Sequence, residues 1–285
     1  MGRTIPPERV AASRGRHASP AFVRRREVLR ETVAAFERAD PPDRFHQLAQ
    51  ANLARWAKTA SPAPASPVQV LPGDWGEVTA SLTQAHGSCF AVLNMANAYV
   101  PGGGYVEGSP AQEENMFRRT DCHFAVDGSQ FDPRTEHYRA KITALLNAEG
   151  GRVMLDTARP RVCVRGPEDR ARGDLGYAWL APDEVFPFYE LRAAALDLRD
   201  GSPFDPERAA ARIHAQLDTL IDAGVRHAVL SAFGCGAFRN PADQVAGLYG
   251  DALREREGAF DCLAFAIFHP GYGPDNFTPF AEALT

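Results

Sequence analysis

From Val68 onward the chain alternates short apolar runs with longer amphipathic stretches, and that alternation narrows the fold more than any other feature. The runs VQVL, CFAVLNMA, HAVLSAF and CLAFAIF read as buried strands. The stretches near 75–85, from Pro110 onward, near 133–148, from Pro206 to Ala223 and from Pro241 to about Arg256 read as helices, with a short helix at the end. Strands separated by helices make a sheet covered on both faces, so the expected class is α/β, a three-layer α/β/α arrangement. The runs RVMLDT at 152–157 and RVCVRG at 161–166 lie too close together for a helical crossover. They predict an antiparallel pair and therefore a mixed sheet, followed by an apolar stretch around 184–198. No internal repeat, GxGxxG or GxxxxGK[ST] occurs.

Upstream, Ser19-Pro20 followed by FVRRREVLRETVAAFERA predicts an N-capped helix with proline at its first position. A second helix is expected from Arg44 to Lys58, and SPAPASP at 61–67 has linker composition. The expected organisation is an Arg-rich helical extension over 1–67 and a main body over 68–285. The first thirty residues carry Arg3, Arg9, Arg14, Arg16, Arg24, Arg25, Arg26 and Arg30 against Glu8 and Glu27. This reads as a solvated extension running into a helix, with a transit peptide or nucleic-acid-binding arm as alternatives.

A net charge of −5 over 285 residues offers no global attraction for a polyanion, so any phosphate must be bound locally, and direct nucleic-acid binding is not expected. No apolar run reaches the length of a membrane span. The five cysteines are widely spaced without CxxC pairs, which fits a reducing cytoplasm. Histidines form no HxxxH and sit near no cysteine cluster, so neither metal nor cofactor is expected.

In open α/β sheets ligands lie beyond the carboxyl ends of strands, and two loops occupy such positions. After FAVLNMANAYV comes Pro101-Gly102-Gly103-Gly104 and then Ser109-Pro110-Ala111-Gln112-Glu113-Glu114. The glycines permit positive φ and close approach of a ligand to the backbone. Ser109 and Gln112 have capping-box spacing with Pro110 at the first helical position. Adjacent helical residues point about 100° apart. Glu113 and Glu114 can therefore touch different atoms of one sugar, but are poorly placed to flank a bond from opposite faces. Either carboxylate could instead simply stabilise the helix dipole. After HAVLSAF comes Gly234-Cys235-Gly236-Ala237-Phe238-Arg239-Asn240-Pro241 before a helix, a turn whose N–H groups suit a diphosphate without lysine, or which merely connects two elements. Cys235 between glycines reads as a small buried thiol rather than a nucleophile.

The run GGG, seven residues, then QEE resembles the signature of poly(ADP-ribose) glycohydrolases, and LNMANAYVPGGG resembles the bacterial branch of that family. The resemblance implies a macrodomain-like catalytic body over 68–285 that binds ADP-ribose. It implies that Glu114 protonates the departing ribose oxygen and then activates water, and that Glu113 orients the terminal sugar. It further implies that Asn97, Gly102, Gly103 and Gly104 line the distal ribose, with Gln112 also among the substrate-binding residues. Gly234, Cys235, Gly236 and Ala237 would form the diphosphate loop, with Phe238 against the terminal ribose. An adenine-stacking aromatic is expected at Phe268, with Phe277 second; a core role for Phe268 is the alternative. Asp74 could serve the adenine amino group or simply make a turn. The implied activity is hydrolysis of ribose–ribose bonds of poly(ADP-ribose), mainly from chain ends. Implied partners are the polymer, ADP-ribose and ADP-ribosylated proteins, for a monomeric cytoplasmic enzyme of the DNA damage response. Two alternatives stay open: a reader that binds ADP-ribose without cutting, and a hydrolase of another ADP-ribosyl linkage.

Overall fold

Apolar runs become strands and amphipathic stretches become helices in a computed structural model that describes residues 3–5, 19–61 and 66–284. In chain order the elements are α1 (Pro20–Glu37), α2 (Arg44–Trp56, extended by a 3-10 turn over Ala57–Thr59), β1 (Val68–Pro72), α3 (Trp75–His86) and β2 (Phe90–Met95). Next come α4 (Gln112–Arg119), α5 (Cys122–Ala125), β3 (Phe131–Asp132), β4 (His137–Tyr138), α6 (Ala140–Leu146), β5 (Met154–Cys163) and β6 (Phe186–Ala193). The last third holds α7 (Pro206–Asp222), β7 (His227–Leu230), α8 (Ala242–Arg254), β8 (Cys262–Ile267) and α9 (Phe277–Leu284).

The main sheet has the order β1-β8-β7-β2-β6-β5. β1 and β8, β8 and β7, β7 and β2, and β2 and β6 pair in parallel, with Val68 opposite Leu263 and Phe90 opposite Phe188. With β5 at its edge the sheet is mixed and flanked by helices, the α/β/α macrodomain-like architecture. β2 and β8 are buried almost throughout, as strands covered on both faces must be. Ser19, Asp74 and Asp205 cap α1, α3 and α7 through their side chains.

Two expectations are corrected. The region 133–148 is helical only over α6; the preceding residues form the β3–β4 hairpin. Asp132 accepts the Arg134 N–H at 2.9 Å and Glu136 takes φ 55°, so local turn chemistry overrides helical periodicity. Residues 154–157 of the first run and 161–163 of the second are parts of a single strand, β5, which continues through Pro160. An edge strand can accept a residue without an N–H, and Asp156 takes up the N–H groups of Ala158 and Arg159.

The chain divides into two compact units. The first draws on Met1–Asn52, Ala96–Thr143 and Arg161–Pro187. Its apolar cluster joins Phe36 and Ala49 to Val162, Val164 and Val185. Arg3, Arg25 and Arg26 are buried rather than solvated; Arg9, Arg14 and Arg16 lie outside the described residues. Each buried guanidinium has oxygen partners: Arg25 reaches Glu168 at 2.6 Å, and Arg26 donates to the Glu107 carbonyl at 3.1 Å. The Tyr177 hydroxyl donates to the other Glu168 oxygen at 2.7 Å. Burial pushes Glu168 up, but the bonds from Arg25 and Tyr177 outweigh it and hold the carboxyl below its ordinary range. Arg25→Met removes one partner of a buried pair and is expected to cost about 3–5 kcal/mol. Urea unfolding checks this; a loss below about 1 kcal/mol would place the pair with exposed ion pairs instead.

The second unit comprises Leu53–Met95, Ala144–Pro160 and Phe188–Thr285. Its core packs Leu93, Leu191, Leu230 and Phe265 of the sheet with Ile213, Leu217 and Leu220 of α7 and Phe280 of α9. Within the second unit α7 buries Ile213, Leu217 and Leu220 and α8 buries Val245, Ala246 and Tyr249, whereas α9 buries Phe280 alone.

Candidate active site

The segment of the first unit that begins at Ala96, after β2, turns at Asn97, whose Oδ1 accepts the N–H groups of Tyr99 and Val100 at 2.8 and 2.9 Å. The glycine-rich loop follows and α4 returns two carboxylates to it. Glu113 Oε2 accepts the Asn97 N–H at 2.7 Å and Oε1 the Gly102 N–H at 3.1 Å. Glu114 Oε1 accepts the Gly104 N–H at 2.9 Å. Glu113 thus ties together both ends of the Asn97–Gly102 turn, while Glu114 is held at one oxygen. Only glycine fits at 103: its φ is +54°, and a Cβ there would stand 2.6 Å from Glu114 Oε1 and 3.1 Å from Glu113 Oε2.

The expected capping box is not formed. α4 starts at Gln112, two residues after Pro110, and its N-cap Ala111 offers no side-chain bond. Ser109 is engaged through its backbone, its N–H donating to Gly104 O at 3.0 Å and its carbonyl accepting Arg118 at 2.8 Å. That keeps the segment extended up to Ala111 (φ −75°, ψ 176°) and delays the helix.

Glu114 is 8% exposed. Burial pushes its carboxyl above the ordinary glutamate range; the Gly104 N–H and Arg118 act against this, and Glu107 adds to it. A shift in that direction is the one a general acid requires. Arg118, one turn along α4, is fully buried and anchored to Tyr177 Oη at 3.1 Å and to Ser109 O. Sequence reading missed it, although a cation four residues after Glu114 was the available signal.

In the second unit the loop after β7 is organised by Asn240, whose Nδ2 donates to Leu196 O at 2.7 Å and Gly234 O at 3.1 Å. Gly234 has φ +78°, and a Cβ there would meet Ala195 and Asn240 at 2.5 Å. Gly236 and Ala237 are exposed and Phe238 half-buried. Among the described residues the N–H groups of Gly236, Ala237 and Phe238 have no protein acceptor, the array an anionic oxygen requires. Burial pushes the Cys235 thiol up to about 12, so it stays neutral. The Arg199 guanidinium lies 4.9 Å from the Phe238 ring centre. Phe268 is 45% exposed, which removes the core reading, whereas Phe277 packs against the core. Asp74 Oδ1 caps α3 through the Gly76 and Glu77 N–H groups.

Each unit therefore assembles its own predicted group: Asn97, Gly102, Gly103, Gly104, Glu113 and Glu114 in the first, and the 234–240 turn in the second. Gln112 stands at the first position of α4. Among the described residues no cluster of His, Cys, Asp or Glu could hold a metal ion, and no helix is long and apolar enough to cross a membrane.

A macrodomain-like sheet with a glycine-rich loop held by tandem glutamates defines the class. Residues 29–144 match the family model of the microbial-type PARG catalytic domain, PARG being poly(ADP-ribose) glycohydrolase. The fold is similar to that of PARG from Thermomonospora curvata, with 22% identity, a TM-score of 0.60, and coverage of 91% of this chain and 99% of that one. The same protein bound to the inhibitor ADP-HPD gives 22% identity and a TM-score of 0.61, covering 90% of this chain and 98% of that one. PARG from Deinococcus radiodurans in complex with ADP-ribose gives 24% identity and a TM-score of 0.53, covering 85% of this chain and 91% of that one. No curated protein matches the sequence.

Proposed function

We propose that the chain is a poly(ADP-ribose) glycohydrolase in which Glu114 is the acid and base of ribose–ribose bond cleavage. The observation that carries the reading is the pair of buried carboxylates at the start of α4, gripped by backbone N–H groups of the glycine-rich loop. Protonated Glu114 gives its proton to the departing ribose oxygen as the bond breaks through an oxocarbenium-like centre. The resulting carboxylate then takes a proton from water as it attacks the anomeric carbon, which restores the acid. Glu113, whose oxygens are fixed by the Asn97 and Gly102 N–H groups, orients the ribose hydroxyls, and Asn97 contacts the distal ribose. In the loop after β7, Gly236, Ala237 and Phe238 bind diphosphate oxygens through N–H groups, so no lysine is needed and an acidic chain can still hold an anionic polymer unit. Phe268, exposed at the end of β8, is the adenine platform. Structures of similar fold that are described with ADP-ribose and ADP-HPD support the ligand class.

We infer further that cleavage proceeds from chain ends and that the protein works as a cytoplasmic monomer on modified proteins; five free thiols fit a reducing compartment. The test is incubation of the full chain with poly(ADP-ribose), with mono-ADP-ribosylated protein and with free ADP-ribose. The expected outcome is free ADP-ribose from the polymer, resolved by chromatography, and calorimetric binding of ADP-ribose. Binding without product would favour a reader instead.

A further inference from the structure

Arg3 is 8% exposed, and all its described partners lie in the first unit. Its Nη2 donates to Glu107 at 2.9 Å and its Nε to Glu136 at 3.2 Å. Its backbone N–H donates to the Tyr105 hydroxyl at 3.1 Å, and that oxygen lies 2.9 Å from His123 Nδ1. The Thr4 N–H adds a bond to Glu136 at 3.1 Å. These contacts fix the guanidinium so that Nη1 donates to the Gly103 carbonyl at 2.5 Å.

That carbonyl belongs to the same peptide group as the Gly104 N–H, which holds Glu114 Oε1 at 2.9 Å. A trans peptide carries its C=O and N–H in opposed directions on one rigid plane. A cation bound to the oxygen therefore fixes the direction of the N–H and polarises it toward the carboxylate. Neither flanking residue has a Cβ, so the direction of this plane is set by hydrogen bonds: those to Arg3 and Glu114 on the plane itself, and Gly103 N–H to Val100 O and Ser109 N–H to Gly104 O on either side.

We propose that Arg3 is a positioning residue for hydrolysis, acting on Glu114 through the Gly103–Gly104 peptide. The inference rests on Glu114 being the acid. The other charged groups around Glu114 are Glu113 on the same helix, Arg118 one turn along and Glu107 of the loop; Arg3 reaches it only through the peptide.

The experiment compares full-length wild type, Arg3→Ala and Arg3→Lys by thermal unfolding and by pH profiles of kcat and KM on poly(ADP-ribose). Carboxyl carbon NMR supplies a titration of Glu114, assigned by its loss in Glu114→Gln. Arg3→Ala is expected to lower kcat about tenfold, the worth of one charge-assisted hydrogen bond, with KM little changed. Weakening the Gly104 bond to the ionised carboxylate moves its titration upward. The Glu114 carbon and the alkaline limb of the rate profile therefore shift together to higher pH. Arg3→Lys falls between the two, and added guanidinium restores Arg3→Ala toward wild type. Unchanged kcat and pH profile in Arg3→Ala overturn the inference while leaving the glycohydrolase reading intact. A loss of folding stability with an unmoved Glu114 carbon also overturns it. If wild type releases no ADP-ribose, the activity reading fails, and the carbon titration, which needs no turnover, still decides the role of Arg3.

Discussion

Glu114→Gln is expected to reduce release of ADP-ribose from the polymer by about 10²- to 10⁴-fold, toward the upper end because one group serves as both acid and base. Glutamine keeps the shape and can still accept the Gly104 N–H, so ADP-ribose affinity should change only a few-fold. Stability supplies a second readout. Burial raises the Glu114 carboxyl in the folded state above its ordinary value of 4.5. A raised carboxyl contributes its full stability below the unfolded value and loses it as pH climbs through the folded value. The glutamine variant does not ionise, so its Tm relative to wild type should rise as pH increases from about 4.5 upward. Turnover in the variant equal to that of an active wild type would remove Glu114 from the mechanism.

Gly103→Ala should have the next largest effect. The new methyl would stand 2.6 Å from Glu114 Oε1 at a φ of +54°, so either the carboxyl or the loop must move. Displacing a catalytic group by about 1 Å can cost about 10²-fold in rate, and left-handed strain adds about 1 kcal/mol to the folded state. We expect kcat to fall about 10²-fold with Tm only modestly lowered. Gly173→Ala is the control, because a Cβ there meets nothing within 4 Å and the residue is exposed, outside the proposed site. Equal kcat in Gly103→Ala and wild type would show that the loop and the carboxylates are not mechanically coupled.

Legibility differed by kind of interaction. The sheet strands β2, β7 and β8 were readable because parallel strands buried on both faces are written as near-continuous apolar runs, whereas the half-buried edge strand β1 shows the shorter VQVL pattern. The Asp132–Tyr138 hairpin was misread as helix, since Asp132 and a left-handed Glu136 act within a few residues and leave no periodic trace. The candidate acid, its neighbour and the glycine loop were readable because they are close in sequence: sixteen positions separate Asn97 from Glu113, and ten separate Gly104 from Glu114. Arg3 was not. It lies a hundred positions from Gly103, and its role is visible only where the two meet.

By itself the sequence determined the α/β alternation, the two glycine-rich turns, the tandem glutamates and a mild negative charge. Backbone periodicity and local steric freedom are properties of neighbouring residues, and they survive in one dimension. The tertiary structure alone decided which oxygens of Glu113 and Glu114 are held, that Arg25 is buried against Glu168, and that one peptide plane stands between Arg3 and Glu114. Hydrogen bonds and desolvation act over a few ångströms of space, whatever the separation along the chain.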